Sequence, residues 1–209
     1  FGSIMKPITL AAARDAGVIT PETTYNDTGC ISVSGANICN WDLKARGVVS
    51  MNQIIMQSLN VGAAWLATRL GQDDFRSYFT TLFGQKTGID LPNESGALIG
   101  NLVKSQQVGY ATAAFGQGVA VTPVQMMRAL GALANGGAMV KPHLVRAVRL
   151  DSGIERELDW GEETPVFSAS AVRETTTMMD ALHDRILGGG RAMIPTMSVA
   201  AKTGTAQLT

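Results

Sequence analysis

Ser3 and Lys6 stand three residues apart at the head of a stretch, residues 4–16, that reads as a helix ending at Gly17. On a helix such a pair lies on one face, side by side. A serine hydroxyl is a poor nucleophile until a base takes its proton. Lysine can be that base only if burial or a nearby cation lowers its pKa. A helix start also aims free N–H groups at charge developing on a substrate. The pair is therefore a sensible unit for acyl transfer, and it is the only Ser-x-x-Lys in the chain. Taken alone, it reads more plainly as a helix cap followed by a solvated lysine.

Two later stretches can complete such a unit. Ser58-Leu59-Asn60 falls where one helix breaks into the next. There Ser58 can relay a proton between Lys6 and a leaving amine, and Asn60 can pair with a substrate amide through both its donor and its acceptor. The last run, Val199 to Thr209, reads as a strand. Its Lys202 is a candidate for the cation that lowers the Lys6 pKa. On a strand, Lys202-Thr203-Gly204-Thr205 can take up an extended peptide by strand addition. Lys202 and the hydroxyls of Thr203 and Thr205 would hold a carboxylate, and Gly204 would allow close approach. The backbone N–H groups of Ser3 and Thr205 would form an oxyanion hole. Two look-alikes are set aside. Ser50-Met51-Asn52 is discounted because Ser50 already caps a helix, and Lys86-Thr87-Gly88 because it runs into a loop.

The elements that must position these residues are legible in outline. Ser50 and Gln53 form a capping box before Ile54, Ile55 and Leu59. Asn60-Val61-Gly62 reads as a break, and helix resumes from Ala63 to Leu70. Asp73 or Asp74 starts a short helix to Phe83, and 84–103 reads as an extended loop. Thr122-Pro123-Val124-Gln125 is a second capping box, opening a helix that stops at Asn135-Gly136-Gly137. Met139 to Leu150 is β-like, with a turn at Asp151-Ser152-Gly153. A long helix runs from Ser168 or Ser170 to about Leu187 and ends at Gly188-Gly189-Gly190.

The 209 residues suit one domain, or a domain with a small lobe, with an apolar fraction of 45% that can build a sizeable core. Seventeen basic residues balance seventeen acidic ones, so no footprint for nucleic acid or an anionic membrane is present. No run of apolar residues is long enough to span a bilayer. Two histidines and two cysteines without ligand spacing predict no zinc or other metal site. His143 reads as serving a strand, and His183 as lying on a solvated helix face. Cys30 and Cys39 flank an alternating stretch. A turn at Ser34-Gly35 would set Val33 against Ala36, Ile31 against Ile38 and Cys30 against Cys39, the last at a position where side chains lie closest. Two readings stand: a disulfide, implying an oxidising compartment, or two half-buried thiols.

Together the three stretches resemble the Ser-x-x-Lys, Ser-x-Asn and Lys-Thr-Gly signature of penicillin-recognising serine acyl-transferases. The flanks are similar to the transpeptidase domain of monofunctional, class B penicillin-binding proteins. They include Thr87-Gly88-Ile89-Asp90-Leu91-Pro92 with Glu94, Gly116-Gln117-Gly118, Lys141-Pro142-His143, and Lys202 through Gln207. The resemblance spans residues 1–209 and implies an α/β (α+β) fold of the penicillin-binding protein/serine β-lactamase-like type. That is a helical lobe plus part of a central antiparallel sheet, truncated at both ends. It implies a peptidoglycan D,D-transpeptidase in which Ser3 attacks the penultimate D-Ala of a stem peptide, Lys6 accepts the proton, and an amine of a second stem peptide resolves the ester. β-Lactams would acylate Ser3. No cofactor is implied. The resemblance further implies an N-terminal membrane anchor in the parent protein, work on the extracytoplasmic or periplasmic side of the cytoplasmic membrane, and divisome or elongasome partners.

The family's sheet strands before Ser-x-x-Lys and after Lys-Thr-Gly fall outside residues 1–209, so the 209 residues alone are expected to be poorly active. Asn93 stands where the family often has Gly, as does Ala201, with little consequence expected. The alternatives are a β-lactamase, a D,D-carboxypeptidase, a β-lactam sensor and an inactive peptidoglycan-binding scaffold. A class A β-lactamase would need a Glu-x-x-x-Asn element after Ser58, and that element is missing.

Overall fold

Lys6–Asp15 (α1) is buried along almost its whole length, because small and branched apolar residues, Ile8 and Leu10 to Ala13, cover every face. A helix apolar all round belongs in the centre of a core, and here Met51–Met56, Asn60–Leu70, Pro123–Ala134 and Ala169–Arg185 pack against it. The computed structural model describes residues 1–104, 107–185, 194 and 196–205. The chain enters α1 through a 3-10 turn, Gly2–Met5, so Ser3 sits one turn ahead of the α-helix proper. Pro7, in the first turn of α1, loses no helical hydrogen bond.

Four short strands follow. Thr24–Asp27 (β1) pairs antiparallel with Gly47–Ser50 (β4), and Cys30–Val33 (β2) with Ala36–Cys39 (β3). The second pair is a hairpin in the register read from sequence, with Cys30 opposite Cys39. Its turn residues Ser34 and Gly35 both take positive φ, as a two-residue hairpin requires. Cys30 and Cys39 are joined by a disulfide.

Met51–Met56 (α2) starts at the Ser50–Gln53 capping box. The break before the next helix lies earlier than the sequence suggested. It occupies Gln57-Ser58-Leu59, and Asn60–Leu70 (α3) already includes Asn60 and Gly62. The reason is Ser58, which turns the backbone left-handed at φ 55. Gly62 is helical because it must be small, not because it bends the chain. A Cβ there would lie 2.6 Å from the Tyr25 hydroxyl and 2.7 Å from Ile54.

Gln72–Phe83 (α4) carries Phe75, Phe79 and Phe83 into the core as a run of aromatic contacts. The 84–100 segment is loop, organised by Glu94, whose carboxylate accepts from the Thr87 N–H (2.6 Å), the Thr87 hydroxyl (2.5 Å) and the Gly88 N–H (2.9 Å). Asn93 has φ 60, which explains why Asn can stand where Gly is common. The short helices Asn101–Lys104 (α5) and Gln107–Ala113 (α6) precede Pro123–Ala134 (α7), which begins at the Thr122–Gln125 capping box. Asp90 caps the segment after Lys141-Pro142-His143 by accepting from Leu144 and Val145 N–H. His143 is exposed and stacks on Trp160 in a loop rather than serving a strand.

The β-like stretch 139–150 resolves into two separate pairs. Ala138–Met139 (β5) pairs with Thr164–Pro165 (β8), and Ala147–Arg149 (β6) with Glu155–Glu157 (β7) across the expected turn at Asp151 to Gly153. Ser168 starts Ala169–Arg185 (α8), which lies on α1. Arg14 forks onto Glu174, and Asp15 accepts from the Ser168 N–H and the Tyr78 hydroxyl. These bonds tie the end of α1 to α8 and α4.

The fold is a helical core with short antiparallel strand pairs at its edges. The run expected as a final strand does not form a ladder among the described residues. Val199 to Thr205 is irregular, with no neighbouring strand supplying partners, and Thr203, Gly204 and Thr205 are exposed. Ala206 to Thr209, the Gly188 to Gly190 helix stop and the His183 side chain lie outside what is described.

Candidate active site

The Lys6 side chain, 1% exposed, is one of the largest fully buried side chains in the protein. Its Nζ contacts four oxygens: Ser3 Oγ at 2.9 Å, Ser58 Oγ at 3.1 Å, the Ser58 carbonyl at 2.6 Å and Asn60 Oδ1 at 2.8 Å. A solvated lysine after a serine cap is therefore excluded. Ser3 is buried and makes no side-chain cap bond. Lys6 is the first residue of α1, and its stem descends into the core past the 3-10 turn that holds Ser3. The left-handed turn at Ser58 aims both the carbonyl and the side chain of that residue at the same amine.

Burial, reinforced by the charge of Lys202, lowers the Lys6 pKa from its ordinary value to about 6. Near neutral pH the amine is then uncharged, with two N–H bonds and one lone pair. The Ser58 carbonyl and Asn60 Oδ1 can only accept, so they claim the two N–H bonds. The lone pair is left facing the two hydroxyls, Ser3 and Ser58, each of which has a proton to give. The arrangement can deprotonate Ser3 as it attacks a carbonyl, and Ser58 offers a second path for the proton.

Lys202 reaches the same hydroxyl from the other side. Its Nζ lies 2.9 Å from Ser58 Oγ and 3.0 Å from the Thr203 carbonyl, with Thr203 Oγ1 at 3.5 Å. Burial lowers its pKa to about 8. The three stretches thus meet at one point, across separations of 52 and 144 residues. Gly204 passes close to the 3-10 turn, where a Cβ would lie 2.7 Å from Ile4 Cγ1 and 3.3 Å from the Phe1 carbonyl oxygen. That proximity puts the 203–205 backbone beside the segment carrying Ser3.

Two contacts went unread in the sequence because backbone carbonyls make them. One is the Ser58 carbonyl on Lys6. The other is the Cys39 carbonyl, which accepts from Asn60 Nδ2 at 3.0 Å and links the disulfide hairpin to the site. Only a left-handed Ser58 delivers the first, and no residue type announces that conformation. The look-alike Ser50 does cap α2, and Thr87-Gly88 binds Glu94 away from this cluster.

The family model described as the penicillin-binding protein transpeptidase domain matches residues 1–209. The chain belongs to this family. Among relatives of the transpeptidase domain, the Stage V sporulation protein D of Bacillus subtilis is 34% identical over 212 residues, covering 99% of this chain and 32% of that protein. The Peptidoglycan D,D-transpeptidase MrdA of Acinetobacter baumannii is 29% identical, covering 99% of the chain and 33% of that protein. The chain therefore spans about a third of the length of these curated relatives. Penicillin binding protein 3 of Mycobacterium tuberculosis, solved in complex with aztreonam, superposes with a TM-score of 0.86 at 28% identity, covering 99% of this chain and 48% of that one. The mixed helical and sheet architecture is thus that of penicillin-binding protein transpeptidase domains.

Proposed function

We propose that this domain is a serine-type peptidoglycan D,D-transpeptidase that acts through a Ser3 acyl-enzyme and is acylated by β-lactams. The observation that carries the reading is the buried Lys6 amine, 2.9 Å from Ser3 Oγ and also held by the Ser58 carbonyl and Asn60 Oδ1; the lowering of its pKa by burial fits a base for the Ser3 hydroxyl. Ser3 Oγ attacks the carbonyl of the penultimate D-Ala, and its proton passes to Lys6 Nζ. The peptide C–N bond then breaks, and the departing D-Ala takes a proton relayed through Ser58. An amine of a neighbouring stem peptide attacks the ester, forms the cross-link and releases Ser3. Asn60, with its Oδ1 on Lys6 and one Nδ2 proton on the Cys39 carbonyl, holds the substrate amide through its remaining Nδ2 proton. Lys202 and the hydroxyls of Thr203 and Thr205 hold the substrate carboxylate, and Gly204 leaves room for its backbone. The N–H groups of Ser3 and Thr205 receive the oxyanion. No metal or organic cofactor enters this chemistry.

The Cys30–Cys39 disulfide fits an oxidising compartment outside the cytoplasmic membrane, and the name of one relative, a peptidoglycan D,D-transpeptidase, fits cell-wall synthesis. Membrane anchoring and partners in division or elongation rest on the family resemblance alone. The exposed 203–205 run supports the further reading that residues 1–209 need more sheet around them for full activity.

Intact mass after incubation of the full-length protein with a penicillin, followed by peptide mapping, tests the proposal. A lasting adduct on Ser3 is expected. An adduct that forms and quickly vanishes would mean a β-lactamase. No adduct on folded protein would leave a peptidoglycan-binding scaffold. A lasting adduct without cross-linking of stem peptides would mean a β-lactam sensor, or a carboxypeptidase if D-Ala is still released.

A further inference from the structure

We propose that Asp27 and Asn40 are positioning residues for acylation: through the Cys39 carbonyl they fix which end of the Asn60 amide faces Lys6. This rests on the reading of Ser3 as the acylated nucleophile.

The two ends of an Asn amide have nearly the same shape and opposite chemistry. With Oδ1 toward Lys6, Asn60 accepts one N–H of the neutral amine and leaves the lone pair to the serine hydroxyls. With the NH2 toward Lys6, Asn60 would occupy that lone pair and strip the amine of an acceptor. Ser3 would then face a base with nothing left to accept its proton. What separates the two orientations is the partner on the far side of the amide. That partner is the Cys39 carbonyl, 3.0 Å from Nδ2, which rewards only the productive one.

Residues outside the three signature stretches hold that carbonyl in place. The Asn40 N–H donates to the Gly29 carbonyl at 2.9 Å. The Asn40 side chain spans the gap between the hairpin and α3. Its Oδ1 accepts from the Val61 N–H at 3.2 Å, the residue after Asn60, while its Nδ2 donates to Asp27 Oδ1 at 2.9 Å and Oδ2 at 3.0 Å. A weaker contact runs to the Lys44 carbonyl at 3.4 Å. Asp27 and Asn40 are each 1% exposed. A carboxylate in such a place must be fully partnered, and Asp27 is: it also accepts from the Tyr25 hydroxyl at 3.0 Å and the Gly29 N–H at 2.7 Å. One buried side chain thus ties Cys39 and Asn60 to a common frame. Neither Asp27 nor Asn40 is bonded to Ser3, Lys6 or Lys202.

The test is saturation kinetics of acylation by a fluorescent penicillin on the full-length protein, which separates the binding constant from the acylation rate constant. Asn40→Ala should lower the acylation rate constant by about tenfold or more with little change in the binding constant, and the adduct should still map to Ser3. Asp27→Asn keeps an oxygen for Asn40 Nδ2 and should lose less than about threefold. If Asn40→Ala fails to melt cooperatively, Asn40→Ser is read in its place. It retains an oxygen for the Val61 N–H and gives up the tie to Asp27. A folded Asn40 variant with the wild-type acylation rate constant, or with a loss in binding alone, overturns the inference while wild-type labelling at Ser3 leaves the transpeptidase reading standing. Absence of a Ser3 adduct on the wild-type protein removes both.

Discussion

Removing the charge at Lys202 should move the acidic limb of acylation upward in pH. The Lys6 pKa of about 6 is set first by burial and then by the Lys202 ammonium. Both nitrogens contact Ser58 Oγ, at 3.1 and 2.9 Å, which puts them within about 6 Å of each other. At that greatest separation and an effective dielectric of about 20, two like charges repel by about 3 kcal/mol, roughly two pH units before solvent screening reduces it. A lysine with an ordinary pKa near 10.4 would be less than about 0.1% neutral at pH 7, whereas Lys6 is about 90% neutral there. Burial and Lys202 together thus supply about three orders of magnitude in available base.

The assay is the second-order acylation rate of the full-length protein by a penicillin between pH 4.5 and about 10, for wild type and Lys202→Gln. Wild type should give a bell with apparent limbs near 6 and 8, the second as Lys202 loses its proton and its grip on the carboxylate. Lys202→Gln should lose the upper limb, shift the lower one up by about one to two units, and be slower throughout. An acidic limb that stays put in the variant would refute the coupling of the two lysines. A wild-type acidic limb above about pH 8 would refute the burial of an uncharged Lys6.

Gly116→Ala places a Cβ against the Gly2 backbone, 2.7 Å from its N and 2.8 Å from its Cα and closer still to its carbonyl oxygen, at a φ of +82. It should cost about 2–4 kcal/mol in a denaturant melt and slow acylation by displacing the turn that carries Ser3. Glu94→Ala strands the Thr87 and Gly88 donors and should cost about 1–3 kcal/mol, read as a lower melting midpoint. Stability should also climb with pH. Lys6 binds its proton more weakly in the native state than in the unfolded chain. Between about pH 6 and 10, therefore, the unfolded chain holds more protons, and the native state gains up to about 1.4 kcal/mol per pH unit from this one group. Urea melts at pH 6.5 and about 8.5 measure it, and a flat profile would mean Lys6 is charged in the native state.

The site was legible where side-chain type and helical spacing suffice. Ser3 and Lys6 share a face whether the turn between them is α or 3-10, and both capping boxes lie where Ser50 and Thr122 predicted them. The hairpin register followed from alternation together with a two-residue turn at Ser34-Gly35. Misplacing the break at Asn60 to Gly62 had a definite cause. Glycine usually signals a bend, but Gly62 serves close packing under Tyr25 and Ile54, while a serine takes the left-handed turn. The stretch 139–150 is apolar enough to read as one strand, yet its partners are two different short segments, and pairing is a non-local property. For the same reason the composition of 199–205 could not supply a ladder.

Ser58 holds a backbone conformation that a non-glycine residue adopts at a cost of about 1 kcal/mol, and its hydroxyl touches both lysine amines. Thermal robustness and reactivity therefore pull position 58 in opposite directions. A randomised library of this position sorted for heat resistance alone should enrich Gly and Asn, which relax the turn and discard the hydroxyl. The same library sorted for acylation should return Ser.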